Sequence, residues 1–354
     1  MIGWYAHHHG RGHLARAQAV RPHLPGPVTT FSSRPAEGVV PLPLDVDPPR
    51  SPACASAAEP TAWHYAPLGV DGVRRRMGLM TAWVVEHDPA AFVVDVSVEV
   101  AGLMRLLGIP TVVVRQHGRR DDLPHELAYR DAQVLLAPWP RALEGDRTPD
   151  WVVERTSYTG GFSRHDGRPA DRAASRRRLG VAAEEQVVVT LGGAGGHDAW
   201  PIAATAAATP GWRWAVLGRH LHLPPGFGPG WVDDPWDWLC AADVIVTHGG
   251  HNAVMECAAA GTPTIVIPQD RPFDEQRDKC RALAREGLGT VLSTWPDPDG
   301  WDDLLTRTAA GGSTLAPISD GGGALVAAQV ISDLARRMGG TDSGIGDPGV
   351  AEPA

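Results

Sequence analysis

The sequence predicts an α/β protein of two parallel-sheet domains that face one another across a cleft. The first sign is length: 354 residues with 43% hydrophobic content supply two cores of ordinary domain size. The second is the alternation of short, β-branched apolar runs with helical stretches, the pattern of buried strands and the helices that cover them. The third is that such a run leads three times into a glycine-bearing turn and then a helix, at His7–His13, Gly192–His197 and His248–His251. Ligands of open α/β sheets bind at the C-terminal ends of strands, where such turns fall.

Composition narrows the class. A net charge of −9 argues against binding nucleic acid or an anionic membrane by bulk charge. Lys279 is the only lysine, and with so much Ala, Gly and Pro this reads as a coding bias. Cys54, Cys240, Cys257 and Cys280 show no CxxC spacing, so they are read as reduced, mostly buried thiols, with neither disulfides nor a zinc site. No apolar run approaches the roughly 20 residues of a membrane span and no signal peptide is visible, so a soluble, cytoplasmic protein is expected.

In order, Met1–Ala6 is the first strand, 7–13 its turn and Leu14–Val20 a helix. Two readings of that turn come from the residues. Gly10-x-Gly12-x-x-Ala15, with Arg34 after the strand Val28–Ser32, fits a loose dinucleotide fingerprint and an NADP oxidoreductase. The run His7-His8-His9 with His13 suggests a metal, although adjacent histidines on an extended turn seldom converge on one ion. Residues 33–66 are Pro-rich and read as a strand near Val39–Leu44 and then a long loop. Gly69–Glu86 is a helix, with Arg74, Arg75 and Arg76 read as a solvated face in preference to a contact with acceptor phosphate. Ala91–Val96 is a strand bearing Asp95, followed by the helix Ser97–Leu107, for which Asp95 is a candidate N-cap. Pro110–Val114 is a strand with a polar turn at Arg115–Gly118, and Gln133–Ala137 is another.

Residues 1–162 make the first domain and 163–174, polar and rich in Arg, Asp and Gly, the linker; 175–338 make the second domain and 339–354 a disordered tail. In the second domain, Arg172–Leu179 opens a helix, Val187–Leu191 is a strand, Trp200–Ala208 a helix and Trp212–Leu217 a strand. A short helix covers Asp237–Ala241. Then comes Asp243–Gln276. Asp243–Thr247 is a buried strand, and 248–251 are the turn. Asn252 is the expected N-cap of a helix from Ala253 to Ala260, Gly261 is its stop, and Thr264–Ile267 is a second strand. A glycine turn at a helix N-terminus presents unpaired N–H groups and the positive end of the helix dipole, and suits a phosphate or diphosphate. No GxxxxGK[ST] occurs, so a P-loop is excluded. Glu275–Glu286 is a helix, Leu288–Leu292 the last strand and Gly321–Arg337 the last helix.

His248-Gly249-Gly250, Asn252, Glu256, Gly261-Thr262-Pro263, Pro268 and Glu275-Gln276, in this order and spacing, resemble the donor signature of GT-B glycosyltransferases of families 28 and 1. These families include the N-acetylglucosaminyltransferase that forms lipid II and the UDP-glycosyltransferases. The resemblance implies a GT-B fold of two Rossmann-like domains. It implies an inverting transfer of a sugar from a UDP- or TDP-linked donor to an acceptor hydroxyl, without a metal or other cofactor. The turn, His248 and Asn252 would hold the diphosphate, with Gly192, Gly193 and Gly195 touching donor phosphates. Glu256 would take the ribose hydroxyls and Glu275 and Gln276 the sugar; the region 231–241 would border the base, with Trp236 read as a packed core or rim residue in preference to a stack on that base. The Gly-x-Gly-His turn implies that His13 is the general base and that Asp95 orients it. His9, Arg11 and His117 are the candidate acceptor contacts. The partners implied are a nucleotide sugar and a small-molecule, lipid-linked or glycan acceptor. The resemblance also permits peripheral contact with the inner face of a membrane. A 2-epimerase on the same scaffold, the oxidoreductase and a non-catalytic nucleotide-sugar-binding protein remain as alternatives.

Overall fold

The computed structural model describes residues 1–192, 200–218, 223, 226–312 and 314–339. In it the chain forms two units, each built on one parallel sheet. The first sheet has strands β1 (Ile2–Ala6), β2 (Val28–Ser32), β3 (Val39–Pro41), β4 (Ala91–Asp95), β5 (Thr111–Val114), β6 (Val134–Ala137) and β7 (Thr156–Tyr158). Their order is β3-β2-β1-β4-β5-β6-β7. Helices α1 (Gly12–Val20), α2 (Pro52–Ala55), α3 (Asp71–His87), α4 (Val98–Leu106), α5 (Leu123–Asp131) and α6 (Asp150–Glu154) connect them. The order reverses between β1 and β4, so a crevice opens at their C-terminal ends. Register puts Ala6 beside Asp95 at that edge.

The second unit runs α7 (Arg172–Leu179), β8 (Gln186–Leu191), α8 (Ile202–Ala208), β9 (Trp212–Leu217), α9 (Trp236–Ala241), β10 (Val244–Thr247) and α10 (His251–Ala260). It continues with β11 (Thr264–Val266), α11 (Glu275–Arg285), β12 (Thr290–Val291), α12 (Trp301–Gly311) and α13 (Gly323–Met338). Its sheet order is β12-β11-β10-β8-β9, with the reversal between β8 and β10. Thr247 pairs with Leu191 there, so the turns after β8 and β10 flank one crevice.

Apolar residues cover both faces of both sheets, as buried parallel strands require. Trp4, Val93 and Val112 pack on one face of the first sheet; Phe31, Phe92 and Leu135 pack on the other. Complete burial of Phe92 stabilises the fold by on the order of 2–3 kcal/mol. Helix α13 packs on the first sheet, with Ala327, Ile331 and Leu334 among Ile2, Ala91 and Val93. It crosses back onto the first domain, as the GT-B resemblance implies for the last helix, although the bounds 175–338 counted it with the second. Its small residues Ala324, Ala327 and Ala328 let it lie close to the strands.

Three further departures have local causes. Helix α10 starts at His251 with Gly250 as N-cap, so Asn252 stands inside the first turn. Ser97 caps α4 by accepting from Val100 N at 3.2 Å, which removes the capping role weighed for Asp95. Helices α5 and α12 and strand β7 were not anticipated. Gly193, Gly195 and the tail after Gly339 lie outside the described residues, apart from Gly339 itself. Among the described residues, no helix is long and apolar enough to cross a membrane.

Candidate active site

The end of β1, the turn 7–11 and the start of α1 make the first wall. His13 lies in the first turn of α1 and points at Asp95 at the end of β4. His13 Nδ1 lies 2.9 Å from Asp95 Oδ1. A carboxylate only accepts, so Nδ1 carries the proton and Nε2 keeps its lone pair, facing away from Asp95. Asp95 is 0% exposed and His13 9%, so the pair is shielded and one face of the imidazole reaches the crevice. The residue after Asp95, Val96, has φ 64°. A β-branched residue in the left-handed region costs about 1–3 kcal/mol, strain of the kind that gathers at functional sites. It turns the chain sharply so that Asp95 ends the strand facing α1.

One residue at this wall was missed. Arg16, three positions after His13 and thus on the same helix face, donates from Nη1 to the same Asp95 oxygen at 2.6 Å. It is 4% exposed. The available signal was an arginine on the face that α1 otherwise buries with Leu14, Ala17 and Val20.

The histidine run does not form a metal cluster among the described residues. His7 and His8 stack with centroids 4.7 Å apart, and His9 stands edge-on to both. Burial, then the nearby His13, lowers the His7 pKa to about 2, and burial, then His9, lowers that of His8 to about 4. Both rings are therefore neutral at physiological pH. The described residues that do bring metal-type ligands together are His64, Asp122 and His125. There Asp122 caps α5, and Arg120 Nη1 lies 3.1 Å from His125 Nε2. Donation by Arg120 leaves Nδ1 as the protonated nitrogen facing Asp122.

The second wall is the turn 248–250 with α10. Gly250 N donates to His248 Nδ1 at 2.9 Å, and Gln276 Nε2 lies 3.3 Å from the same nitrogen. Gln276 Oε1 accepts from Gln269 N at 2.9 Å. His248 and Gln276 thus brace the turn and the loop after β11 from within. Gln276, read as a sugar contact, is 3% exposed and spends its amide on this brace. Gly249 is needed because a Cβ there would come 3.0 Å from Cys280 Sγ and 3.1 Å from Gln276 O. The turn lies flat on α11 in consequence. Asn252 reaches across the crevice, Nδ2 donating to Gly12 O at 3.2 Å. The N-terminal turns of α1 and α10 therefore meet, and both present positive dipole ends to the same gap. Gly192 N donates to Leu217 O at 2.9 Å, between the ends of β8 and β9.

Several expected contacts are engaged otherwise. Glu256, read as the ribose acceptor, accepts from Arg164 Nε at 2.9 Å. Arg164 Nη1 also donates to Asp233 O at 3.0 Å. Burial raises the Glu256 pKa against the pull of Arg164. Arg164 lies in the segment read as a linker, where nothing flagged it. His117 is buried against Trp139, with Nε2 donating to Leu143 O at 2.8 Å. Burial, then Lys279, lowers its pKa to about 3. His117, proposed as an acceptor contact, is thus packed inside with Nε2 already engaged. Arg11 turns to the other domain, pairing with Asp233 at 3.2 Å and lying 4.7 Å over Trp231. His9 is exposed at the mouth of the crevice. Trp236 is 3% exposed and stacks on His165, in keeping with the packed reading preferred for it. Glu275 lies 3.9 Å from Arg120, beside the turn 116–119. Gly118, at φ 102°, donates from N to Asp278 Oδ2 at 3.1 Å, and Arg119 N donates to Phe273 O at 2.7 Å.

Comparison with known proteins agrees with this construction. Residues 236–295 match the glycosyltransferase family 28 C-terminal domain. The chain is similar to the UDP-N-acetylglucosamine–N-acetylmuramyl-(pentapeptide) pyrophosphoryl-undecaprenol N-acetylglucosamine transferases. It is 30% identical to that of Rubrobacter xylanophilus over 188 residues, 49% of this chain and 52% of that protein. It is 27% identical to that of Rhodococcus opacus over 274 residues, 68% of each. Among solved structures, the glycotransferase of kitacinnamycin superimposes with a TM-score of 0.62 at 19% identity, over 94% of this chain and 98% of that one. The superposition shows the GT-B fold. In the segment 236–295 and in its relatives the chain resembles glycosyltransferases, the lipid II-forming transferases and a UDP-glucosyltransferase among them, and the epimerase and oxidoreductase readings are not favoured.

Proposed function

We propose that the protein is an inverting glycosyltransferase that moves a sugar from a UDP- or TDP-linked donor to an acceptor hydroxyl. One observation carries this: the His13–Asp95 pair faces the N-terminus of α10 across the contact between Gly12 and Asn252. A base and an anion-binding helix end on opposite walls are what a single displacement requires. His13 Nε2 takes the acceptor proton as its oxygen bonds to the anomeric carbon. The bond from that carbon to the diphosphate breaks, and the leaving group departs with the electron pair. The first-turn N–H groups of α10, which have no intrahelical partners, meet its charge. Glu256 takes the ribose hydroxyls, exchanging them for Arg164. Gly192 and the glycines after it would approach the donor phosphates, and Glu275 the sugar. His9, at the open mouth, is the acceptor contact retained.

The reaction as written needs no metal, which chelation tests. The acceptor is a small molecule, a glycan or a lipid carrier; a lipid carrier would place this cytoplasmic protein against the inner face of the membrane. The test is a panel of UDP- and TDP-linked sugars with purified protein, scored for nucleoside diphosphate release and for the anomeric configuration of the product. Release with inversion, unaffected by chelator, supports the proposal. Retention, or no turnover of any donor with any acceptor class, defeats it.

A further inference from the structure

We infer that Arg16 is a positioning residue for the His13–Asp95 pair, fixing the carboxylate that orients the imidazole. The inference rests on the proposed role of His13 as base. Arg16 Nη1 and His13 Nδ1 converge on one oxygen, Asp95 Oδ1, at 2.6 and 2.9 Å. Asp95 Oδ2 and Arg16 Nε are buried without hydrogen-bond partners. Arginine–carboxylate pairs frequently fork across both oxygens, and this one does not. The guanidinium and the imidazole share one acceptor, so Arg16 fixes the oxygen that orients the His13 ring.

The role follows from geometry. The guanidinium holds Oδ1 where His13 Nδ1 donates to it, so the ring keeps the orientation that turns Nε2 to the crevice. The other titratable groups around the pair come from the elements packed against it. His7, in the turn after β1, has its ring centroid 5.9 Å from that of His13. His251 of α10 and Lys279 of α11 act on it or on Arg16 from the second domain. Burial, then His13, lowers the His7 pKa to about 2, and burial, then Lys279, lowers that of His251 well below its usual value. Both are neutral. Burial also lowers the pKa of Lys279 to about 8. Among the described residues, Arg16 and His13 are the side chains that hydrogen-bond the Asp95 carboxylate.

The test is the tautomer of His13 in the full-length protein, read from the nitrogen shifts of labelled histidine, the resonance assigned by its loss in His13→Gln. In Arg16→Met the Nδ1–H signature should be lost or mixed, and kcat should fall about tenfold with UDP affinity within a factor of about two. Arg16→Lys, which can still donate to Oδ1, should keep the signature and recover part of the rate. A folded Arg16→Met protein with the parent tautomer overturns the inference. If the Met variant does not fold, Arg16→Gln decides by the same signature, and a parent tautomer there overturns it. The tautomer needs no turnover to be read. A chain that transfers no sugar yet loses the Nδ1–H signature in the variant would defeat the proposed function and leave the role of Arg16 standing.

Discussion

Two glycine turns, after β1 and after β10, each bring a histidine to the crevice, and they use it in opposite ways. In the first unit His13 Nδ1 faces a carboxylate, so that nitrogen is a donor and Nε2 is left basic toward the crevice. In the second unit His248 Nδ1 faces the N–H of Gly250, so that nitrogen is an acceptor and the ring serves to hold the turn in shape. The local motifs look alike. What separates a reactive imidazole from a structural one is the partner: a carboxylate brought from another strand in one case, a neighbouring amide in the other.

That contrast can be broken by substitution, beginning with the largest effect on turnover. His13→Ala should lower kcat by about a thousandfold, the usual scale for a general base, while the affinity for UDP measured by calorimetry stays within a factor of about two. Asp95→Asn should lower kcat by about a hundredfold, because an amide can hold the ring in the wrong tautomer. Equal losses of kcat and of donor affinity in either variant would count against the division of labour between the two walls. Glu256→Ala should weaken UDP binding by about tenfold through loss of a charged hydrogen bond, with kcat at saturating donor nearly unchanged.

His248→Leu acts on the brace and not on the proton. It leaves the Gly250 N–H unpaired, at a cost of about 1–3 kcal/mol read as a lower urea midpoint, and donor affinity should fall only a few-fold. A collapse of kcat with unchanged stability would contradict the structural assignment of that ring.

The smallest effect on turnover is expected at the domain seam. Burial would raise the pKa of Glu144, but bonds from Arg115, Thr148 and Tyr158 hold it down at about 2. A lowered folded pKa means stability that is present above the unfolded value and lost as pH falls. The urea midpoint should therefore decline between about pH 4.5 and pH 2, and Glu144→Gln should flatten that decline. An unchanged slope in the variant would reject the assignment.

How much of this was legible in the sequence follows from range. The long apolar strands Ala91–Asp95 and Trp212–Leu217, and the turns after β1 and β10, could be read because periodicity and glycine are local signals. Strand β7 could not, since its residues Thr156–Tyr158 are only half-buried at the sheet edge. Helix α5, capped by Asp122 with Pro124 in its first turn, carried start signals that were passed over. In the site, His13 and Asp95 were found through a known pattern of motifs. Arg16 and Arg164 belong to no pattern; their partners lie 79 and 92 residues away, and only folding brings them together. The burial of His117 went unread for a related reason. A polar turn at a strand end points to the crevice by rule, but here the second domain closes over it through Asp278 and Phe273.

The most direct measurement is a crystal structure with UDP and a bound acceptor. The account predicts diphosphate oxygens within hydrogen-bonding distance of the amides between Gly249 and Asn252, Arg164 displaced from Glu256 by the ribose, and the acceptor hydroxyl about 3 Å from His13 Nε2. A diphosphate bound away from the start of α10, or an acceptor hydroxyl out of reach of His13, would contradict it.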